Sequence, residues 1–247
     1  MIDFNKTSNV LIAGSKCSGK TCLLNTLICS LLLNNNPDQF HLTLFDLKQV
    51  EFSKYSPLTT PKPYLKEPQV KIINQIDDSI DELKRLDEKM DAIYKKFVAL
   101  SVSKIDEFNA LSKEKLPYEF IIIDEYADLL LANQEAAKYL IRIAQKGRAC
   151  GYHLILATAK INIKTIISTL KANRPITIAL QVTDPRESIF LLGHYGAESL
   201  LGKGDAMIQS PNSIFEVRVQ TAYISDEEIE KIVDWWTNFS DNEKEEK

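Results

Sequence analysis

Gly14-Ser15-Lys16-Cys17-Ser18-Gly19-Lys20-Thr21 has the spacing G-x-x-x-x-G-K-[ST]. Glycines placed that way let the backbone turn tightly, so that its N–H groups face inward and cradle a β-phosphate. In this pattern Lys20 reaches the β- and γ-phosphates, and Thr21 offers a hydroxyl to Mg²⁺. Ser15, Lys16, Cys17 and Ser18 complete the loop, and Cys22 opens the helix behind it. A second group lies roughly 100 residues downstream, where Phe120-Ile121-Ile122-Ile123 runs into Asp124-Glu125. Asp124 would hold Mg²⁺, directly or through water, and Glu125 would orient and deprotonate an attacking water. Two carboxylates after an apolar strand are a weak signal alone. Following a phosphate loop, in an alternating α/β pattern, they specify Mg-dependent ATP hydrolysis.

These residues need strands that end where helices begin. Asn9-Val10-Leu11-Ile12-Ala13 is a short apolar strand before the loop, and Cys22 to Leu33 is an apolar helix after it, its N-terminal dipole facing the phosphates. His41 to Asp46, Phe120 to Glu125, His153 to Thr158 and Ile176 to Val182 read as further buried strands. Thr158 ends its strand where a polar residue can sense the γ-phosphate. Apart from the strand at His41, Asp38 to Pro68 looks like loop. Apolar residues recur at helical spacing over Gln75 to Leu100, a shorter helix is expected over Lys104 to Leu111, and helices cover Ala127 to Ala149 with a break near Asn133. Ile163 to Lys171 also reads as helix. Asp184 caps a helix with Pro185 in its first turn. Ala206 to Gln209 and Phe215 to Ala222 form a closing hairpin. Ser225-Asp226-Glu227-Glu228 is a capping box that opens a last helix, Asp226 to Trp236. Trp235 and Trp236 seal that helix or, alternatively, offer rings for base stacking.

The 247 residues are 45% hydrophobic and 26% charged, enough for one sizeable α/β core. A single domain is expected over 1–240, with a charged tail at 241–247. Apolar runs such as Leu27 to Leu33 fall short of the roughly 20 residues that span a bilayer, and the N-terminus lacks the apolar core of a signal peptide. A cytoplasmic protein without direct membrane insertion is expected. The four cysteines form no C-x-x-C pair, which argues against zinc. Net charge is −4, yet Ala136 to Thr183 contains no Asp or Glu and eight Lys or Arg, from Lys138 to Arg174. Such asymmetry permits a basic surface on an acidic protein; the alternative is charge scattered over solvated helix faces.

Several further stretches resemble the motor domain of the FtsK/SpoIIIE DNA translocases, in the class of P-loop ATPases that includes HerA. Asp46-Leu47-Lys48-Gln49-Val50-Glu51-Phe52 is similar to D-P-K-x-x-E-[LF], and Ile123-Asp124-Glu125-Tyr126-Ala127-Asp128-Leu129 to I-D-E-[FY]-A-D-L. The run from Ala144 to Thr158 resembles A-Q-K-x-R-A-x-G-I-H-L-I-L-A-T, and Gly196 to Asp205 resembles G-A-E-x-L-L-G-x-G-D. The resemblance implies a RecA-like fold, with a mostly parallel sheet flanked by helices. It also implies a hexameric ring of identical chains that uses ATP and Mg²⁺ to pull double-stranded DNA. Arg148 would be an arginine finger reaching the neighbouring subunit's nucleotide; its alternative is a surface ion pair. Lys160 and Lys164 would touch the DNA backbone, without sequence preference.

The resemblance has gaps. The family's T-Q-R-P is Thr158-Ala159-Lys160-Ile161 here, so a sensor glutamine is replaced by Ala159. The expectation is a minimal motor core, without the membrane region, preceding motor subdomain or winged-helix DNA reader of full-length members. Two other readings stand beside the DNA motor: an ATPase module of a protein secretion system, and a nucleotide-binding regulatory subunit with little turnover. Glu125 argues against the last, and a small-molecule kinase leaves the longer matches unexplained.

Overall fold

The computed structural model describes residues 4, 7–36, 38–60, 69–161, 173, 175–211, 213 and 215–242. The expected helix at Ile163 to Lys171, and Lys164 with it, lie outside them. Eight strands form one sheet: β1 (Asn9–Ala13), β2 (Phe40–Phe45), β3 (Val70–Ile73), β4 (Tyr118–Ile123), β5 (Tyr152–Thr158), β6 (Ile176–Leu180), β7 (Asp205–Gln209) and β8 (Val217–Gln220). Their order across the sheet is β3-β2-β4-β5-β1-β6-β7-β8. The pairings from β3 to β6 are parallel, and β6–β7 and β7–β8 are antiparallel. β5 therefore lies between the phosphate-loop strand β1 and the carboxylate strand β4. All three end at the same edge of the sheet, because Ala13 pairs with Thr158 and Ile123 with Leu156.

The helices are α1 (Lys20–Asn34), α2 (Ile76–Leu100), α3 (Ile105–Leu111), α4 (Tyr126–Ala132), α5 (Ala136–Lys146), α6 (Pro185–Leu192) and α7 (Asp226–Asn242). Parallel strands require crossovers, and these cover both faces with helices. Strand alternation then divides the core in two. Leu11, Ile121, Ile123, Leu154 and Leu156 point to one face, where Leu83, Leu86 and Met90 of α2 and Leu140 and Ile143 of α5 pack. Val10, Ile12, Ile122, Ile155 and Ala157 point to the other, against Leu24 and Ile28 of α1 and Ile229, Val233 and Trp236 of α7. Trp236 is buried, with its ring 5.8 Å from Phe40, while Trp235 stays 43% exposed. The two tryptophans thus divide: one seals, the next faces outward.

Local chemistry fixes the helix starts. The Asp184 carboxylate accepts the Arg186 N–H at 2.8 Å, with Pro185 in the first turn. Ser225 N–H donates to Glu228 at 2.8 Å and Glu228 N–H donates to the Ser225 hydroxyl at 3.2 Å, a reciprocal capping box. The last helix runs past Trp236 to Asn242 because nothing after the tryptophan breaks it. Two elements lie in or beside the stretch read as loop. Ser53–Thr59 forms a short 3₁₀ helix held by Tyr55, whose hydroxyl donates to Asn25 at 3.0 Å. β3 is only four residues long, too brief for a periodic signal; its pairing of Val70 with Leu42 makes it a strand. No helix among the described residues is long and apolar enough to cross a membrane.

Candidate functional site

β1 stops at Ala13 and the chain turns through Gly14 to Gly19 before α1 begins at Lys20. Packing explains both glycines. A Cβ on Gly14 would lie 2.7 Å from Leu180 Cβ and 2.7 Å from Ser18 Oγ. Gly19 has φ 111°, and its Cβ would lie 2.5 Å from Gly204 N. Within the loop, Gly14 N–H donates to Thr158 O (3.2 Å) and Ser15 N–H to Gln181 O (2.8 Å), tying it to the ends of the flanking strands. The first turn of α1 opens beyond it, with the N–H groups that a helix start leaves unbonded. Lys20 folds over the loop and donates to Gly14 O at 2.7 Å and Ser15 O at 3.0 Å. Burial holds its ammonium below the usual lysine range, against the opposing pull of Glu125 and Asp124. Ser18 Oγ is buried and has no hydrogen-bond partner among the described residues.

β4 delivers Asp124 and Glu125 to the same edge. Burial, followed by the nearby Glu51, pushes the Asp124 carboxyl up to about 6. Glu125 adopts a left-handed backbone (φ 58°, ψ 57°) as α4 starts, a conformation that costs about 1 kcal/mol or more for a residue with a Cβ. Its carboxylate is fixed from β5: the Thr158 hydroxyl donates to Oε1 at 2.5 Å and the Ala159 N–H donates to Oε2 at 2.9 Å. Thr158, expected to sense phosphate, is fully buried and acts on Glu125. Ala159 needs no side chain for its contact, because its backbone makes it.

A cleft of about 840 Å³ joins these parts; Lys16, Cys17, Gly19, Lys20, Thr21, Cys22, Asp124 and Glu125 all border it. Lys48 and Glu51 also reach it, from the turn after β2. Lys48 Nζ is 3.9 Å from Glu125 Oε2 and 3.9 Å from Asp128 Oδ2. The turn itself is anchored by Asp46, whose Oδ2 accepts the N–H groups of Glu51 (2.8 Å) and Phe52 (2.9 Å). The family resemblance placed Lys48 and Glu51 in a matched segment but gave neither a role at the nucleotide site. Lys160 lies on the cleft rim, its ammonium 2.5 Å from Asp128 Oδ1. The far wall comes from Lys203 and Gly204, inside the stretch that resembles G-A-E-x-L-L-G-x-G-D, and from Thr221, Ala222 and Tyr223, which no motif had marked.

Arg148 is elsewhere. It sits in the 3₁₀ turn Gly147–Cys150 before β5, and so at the opposite end of the sheet from Thr158. Seven strand residues at about 3.3 Å each separate the two ends by roughly 20 Å. Arg148 borders a second cleft, with Lys104, Lys146, Tyr94 and Tyr118. It is too far away to reach its own chain's phosphate loop.

The residues present fit a magnesium nucleotide. Lysines at the loop and rim match a polyphosphate. Thr21 and Asp124 are the oxygen ligands a small hard cation takes, and the Asp124 carboxyl is raised by burial and by the carboxylates around it, with Lys48 as a weaker counter-charge. The fold is that of P-loop ATPases. It superposes on the pCW3 conjugation coupling protein TcpA, solved with ATPγS, with a TM-score of 0.80 at 24% identity, covering 94% of this chain and 66% of that one. The cytoplasmic domain of the type VII secretion ATPase EccC from Thermomonospora curvata gives 0.78 at 22% identity, covering 93% and 28%.

Sequence relatives are nearer. The DNA translocase SftA of Bacillus subtilis is 38% identical over 239 residues, covering 94% of this chain and 24% of its own length. The DNA translocase FtsK of Streptococcus pneumoniae is 35% identical over 241 residues, covering 94% and 31%. The chain thus spans about a quarter to a third of these relatives. The FtsK/SpoIIIE family model matches residues 1–163, which carry both the phosphate loop and the Asp124-Glu125 pair, and the chain belongs to the FtsK/SpoIIIE family.

Proposed function

We propose that this chain is an Mg-dependent ATPase that moves double-stranded DNA as a ring of identical subunits, a hexamer by family resemblance. The observation that carries the reading is the Glu125 carboxylate, held through both oxygens by Thr158 and Ala159 in a cleft shared with Lys20 and Asp124. A fixed carboxylate beside a phosphate cradle is what a general base for water requires. The 35–38% identity to DNA translocases supports DNA as the cargo.

Lys20 leaves its loop carbonyls and binds the β- and γ-phosphates, and the N–H groups at the start of α1 hold the β-phosphate. Thr21 and Asp124 hold Mg²⁺, which neutralises phosphate charge when bound. Glu125 takes the proton of the attacking water as that oxygen bonds to the γ-phosphorus. The bond to the bridging oxygen breaks, releasing ADP and phosphate, and Lys20 offsets the charge that builds there. Arg148, by the family resemblance, completes the neighbouring subunit's site, as it lies too far from its own phosphate loop to act there. Lys160, held by Asp128 at the rim, and Lys164 are the candidate DNA contacts.

Steady-state ATP hydrolysis with and without long double-stranded DNA, at low and high salt, tests this reading. The expected result is a DNA stimulation that falls as salt rises and is lost in Glu125→Ala and Arg148→Ala. Turnover indifferent to DNA would shift the cargo to polypeptide, as for a secretion ATPase. Nucleotide binding without turnover, in rings, would leave a regulatory subunit.

A further inference from the structure

The cleft has two unlike sides. One carries Lys20, Lys48, Asp124 and Glu125, where phosphate chemistry belongs. The other is made by the turn before β7 and the segment after β8, and presents Lys203, Gly204, Thr221, Ala222 and Tyr223, without a carboxylate. This second wall is built onto the phosphate loop. Gly204 N–H donates to Ser18 O at 2.8 Å, and Thr221 N–H donates to Gly204 O at 2.8 Å. Thr26 on α1 donates its hydroxyl to Ala222 O at 3.0 Å, and the Cys22 thiol lies 3.8 Å from the same oxygen. Gly204 is required there: φ is +94°, and a Cβ would lie 2.3 Å from Thr221 Oγ1. The backbone of 221–223 is therefore pinned beside the first turns of α1.

On this pinned segment Tyr223 is 79% exposed and borders the cleft. A polyphosphate that starts at Glu125 and runs along the loop past Thr21 and Cys22 leads to this wall. The group beyond the α-phosphate then meets an open aromatic face. Given the nucleotide reading above, on which this rests, the geometry points to Tyr223, with Thr221 and Ala222, as the nucleobase subsite, where the adenine stacks on the tyrosine ring. Its role is affinity and positioning. Every base has a π-face, so the ring supplies stacking without reading the base edge.

Equilibrium binding of Mg-ATP and of inorganic tripolyphosphate to the full chain separates base from phosphate. Tyr223→Ala is expected to weaken ATP binding by about 5- to 100-fold and leave tripolyphosphate binding unchanged, with Tyr223→Phe restoring ATP affinity. In Tyr223→Trp, ATP should quench the added indole emission, measured against the parent chain with Trp235 and Trp236, and tripolyphosphate should not. Unchanged ATP affinity in Tyr223→Ala would overturn the subsite. So would an equal loss for both ligands, or equal quenching by both. Lys20→Ala is the control for the nucleotide reading itself: it should lose both ligands. If it kept ATP at wild-type affinity, that reading would fail and take the subsite with it.

Discussion

Glu119 near the amino end of β4 and Asp124 just past its carboxyl end are both buried, and the chain treats them oppositely. At the amino end, burial pushes Glu119 up, but the His41 hydrogen bond at 3.0 Å and the Lys89 charge outweigh it and hold the carboxyl below its usual range. Just past the carboxyl end, Asp124 is raised to about 6 by burial and by Glu51, with Lys48 as a weaker opposing charge. Backbone strain follows the same division. Five described non-glycine residues have positive φ: Cys17, Glu125 and Lys203 border the cleft, Gln49 lies in the turn beside it, and Ser101 is a helix cap. One end of the sheet satisfies its charges internally and contributes stability. The other holds charge and strain that a ligand can relieve, as functional sites do.

The largest effects should come from the residue that crosses this division. Arg148 sits at the stable end yet is assigned to chemistry, so Arg148→Ala should cut ATP hydrolysis by about 10³-fold or more while each chain still binds ATP. Mixing Arg148→Ala with Glu125→Ala subunits should restore part of the activity, because some interfaces then pair an intact arginine with an intact base. Mixtures as inactive as either parent would put Arg148 back among the structural charges. Glu125→Gln comes next, with a loss of about 10²- to 10⁴-fold in turnover and retained nucleotide binding. A loss of binding instead would mean that Glu125 holds the cleft together rather than acting on water.

Stability should separate the two carboxylates by sign. Glu119→Ala leaves Lys89 and His41 facing a buried gap, and should cost roughly 3–5 kcal/mol. Asp124→Asn should stabilise the metal-free protein at pH 7 by ~3 kcal/mol, since a carboxyl raised from 3.8 to about 6 resists ionising in the folded state. The sign follows from linkage. The folded state binds more protons than the unfolded one between these values, so the penalty is absent below pH 4 and complete above pH 6. Denaturant unfolding with a chelator present reads both variants. Losses of the same sign in both would dissolve the contrast between the two ends.

The carboxyl end was far more legible in the sequence than its opposite. Gly14 to Thr21 and Asp124-Glu125 announce themselves because phosphate and metal geometry demand fixed residue types at fixed spacing. The strands β1, β2, β4, β5 and β6 were legible because burial on both faces writes continuous apolar runs. β3 was not, since four residues around Lys71 carry no period and only the pairing with β2 defines them. The contact of Thr158 with Glu125 was not legible because the two are 33 residues apart in sequence. That Lys203, Gly204 and the segment at Thr221 wall the cleft was hidden for the same reason: they meet the phosphate loop through backbone contacts such as Gly204 N–H to Ser18 O, which no side-chain pattern encodes. The Glu119–Lys89–His41 cluster likewise joins three distant segments.

The smallest expected effect tests the stable end by itself. His153 is buried on β5, with its ring stacked 4.6 Å from Phe120 and edge-on to Phe4 at 5.3 Å. Burial, and then the charge of Arg148, push its imidazole down to about 4. The folded value lies below the unfolded one near 6.5, so His153 is neutral in both states above pH 6.5 and costs nothing there. As pH falls toward 4 the unfolded chain takes up the proton first, and stability is lost. At pH 5 the loss should be about 2 kcal/mol. Asp124 works in the opposite direction over the same range, gaining stability as it protonates below about 6. The measurement is therefore a difference: the stability of wild type minus that of His153→Phe, at pH 7 and at pH 5, both in an Asp124→Asn background. A drop of about 2 kcal/mol in that difference would show that the amino end keeps its histidine uncharged by packing. A difference independent of pH would mean that the aromatic stack tolerates the charged ring, and that the amino end is not closed to charge in the way Glu119 suggests.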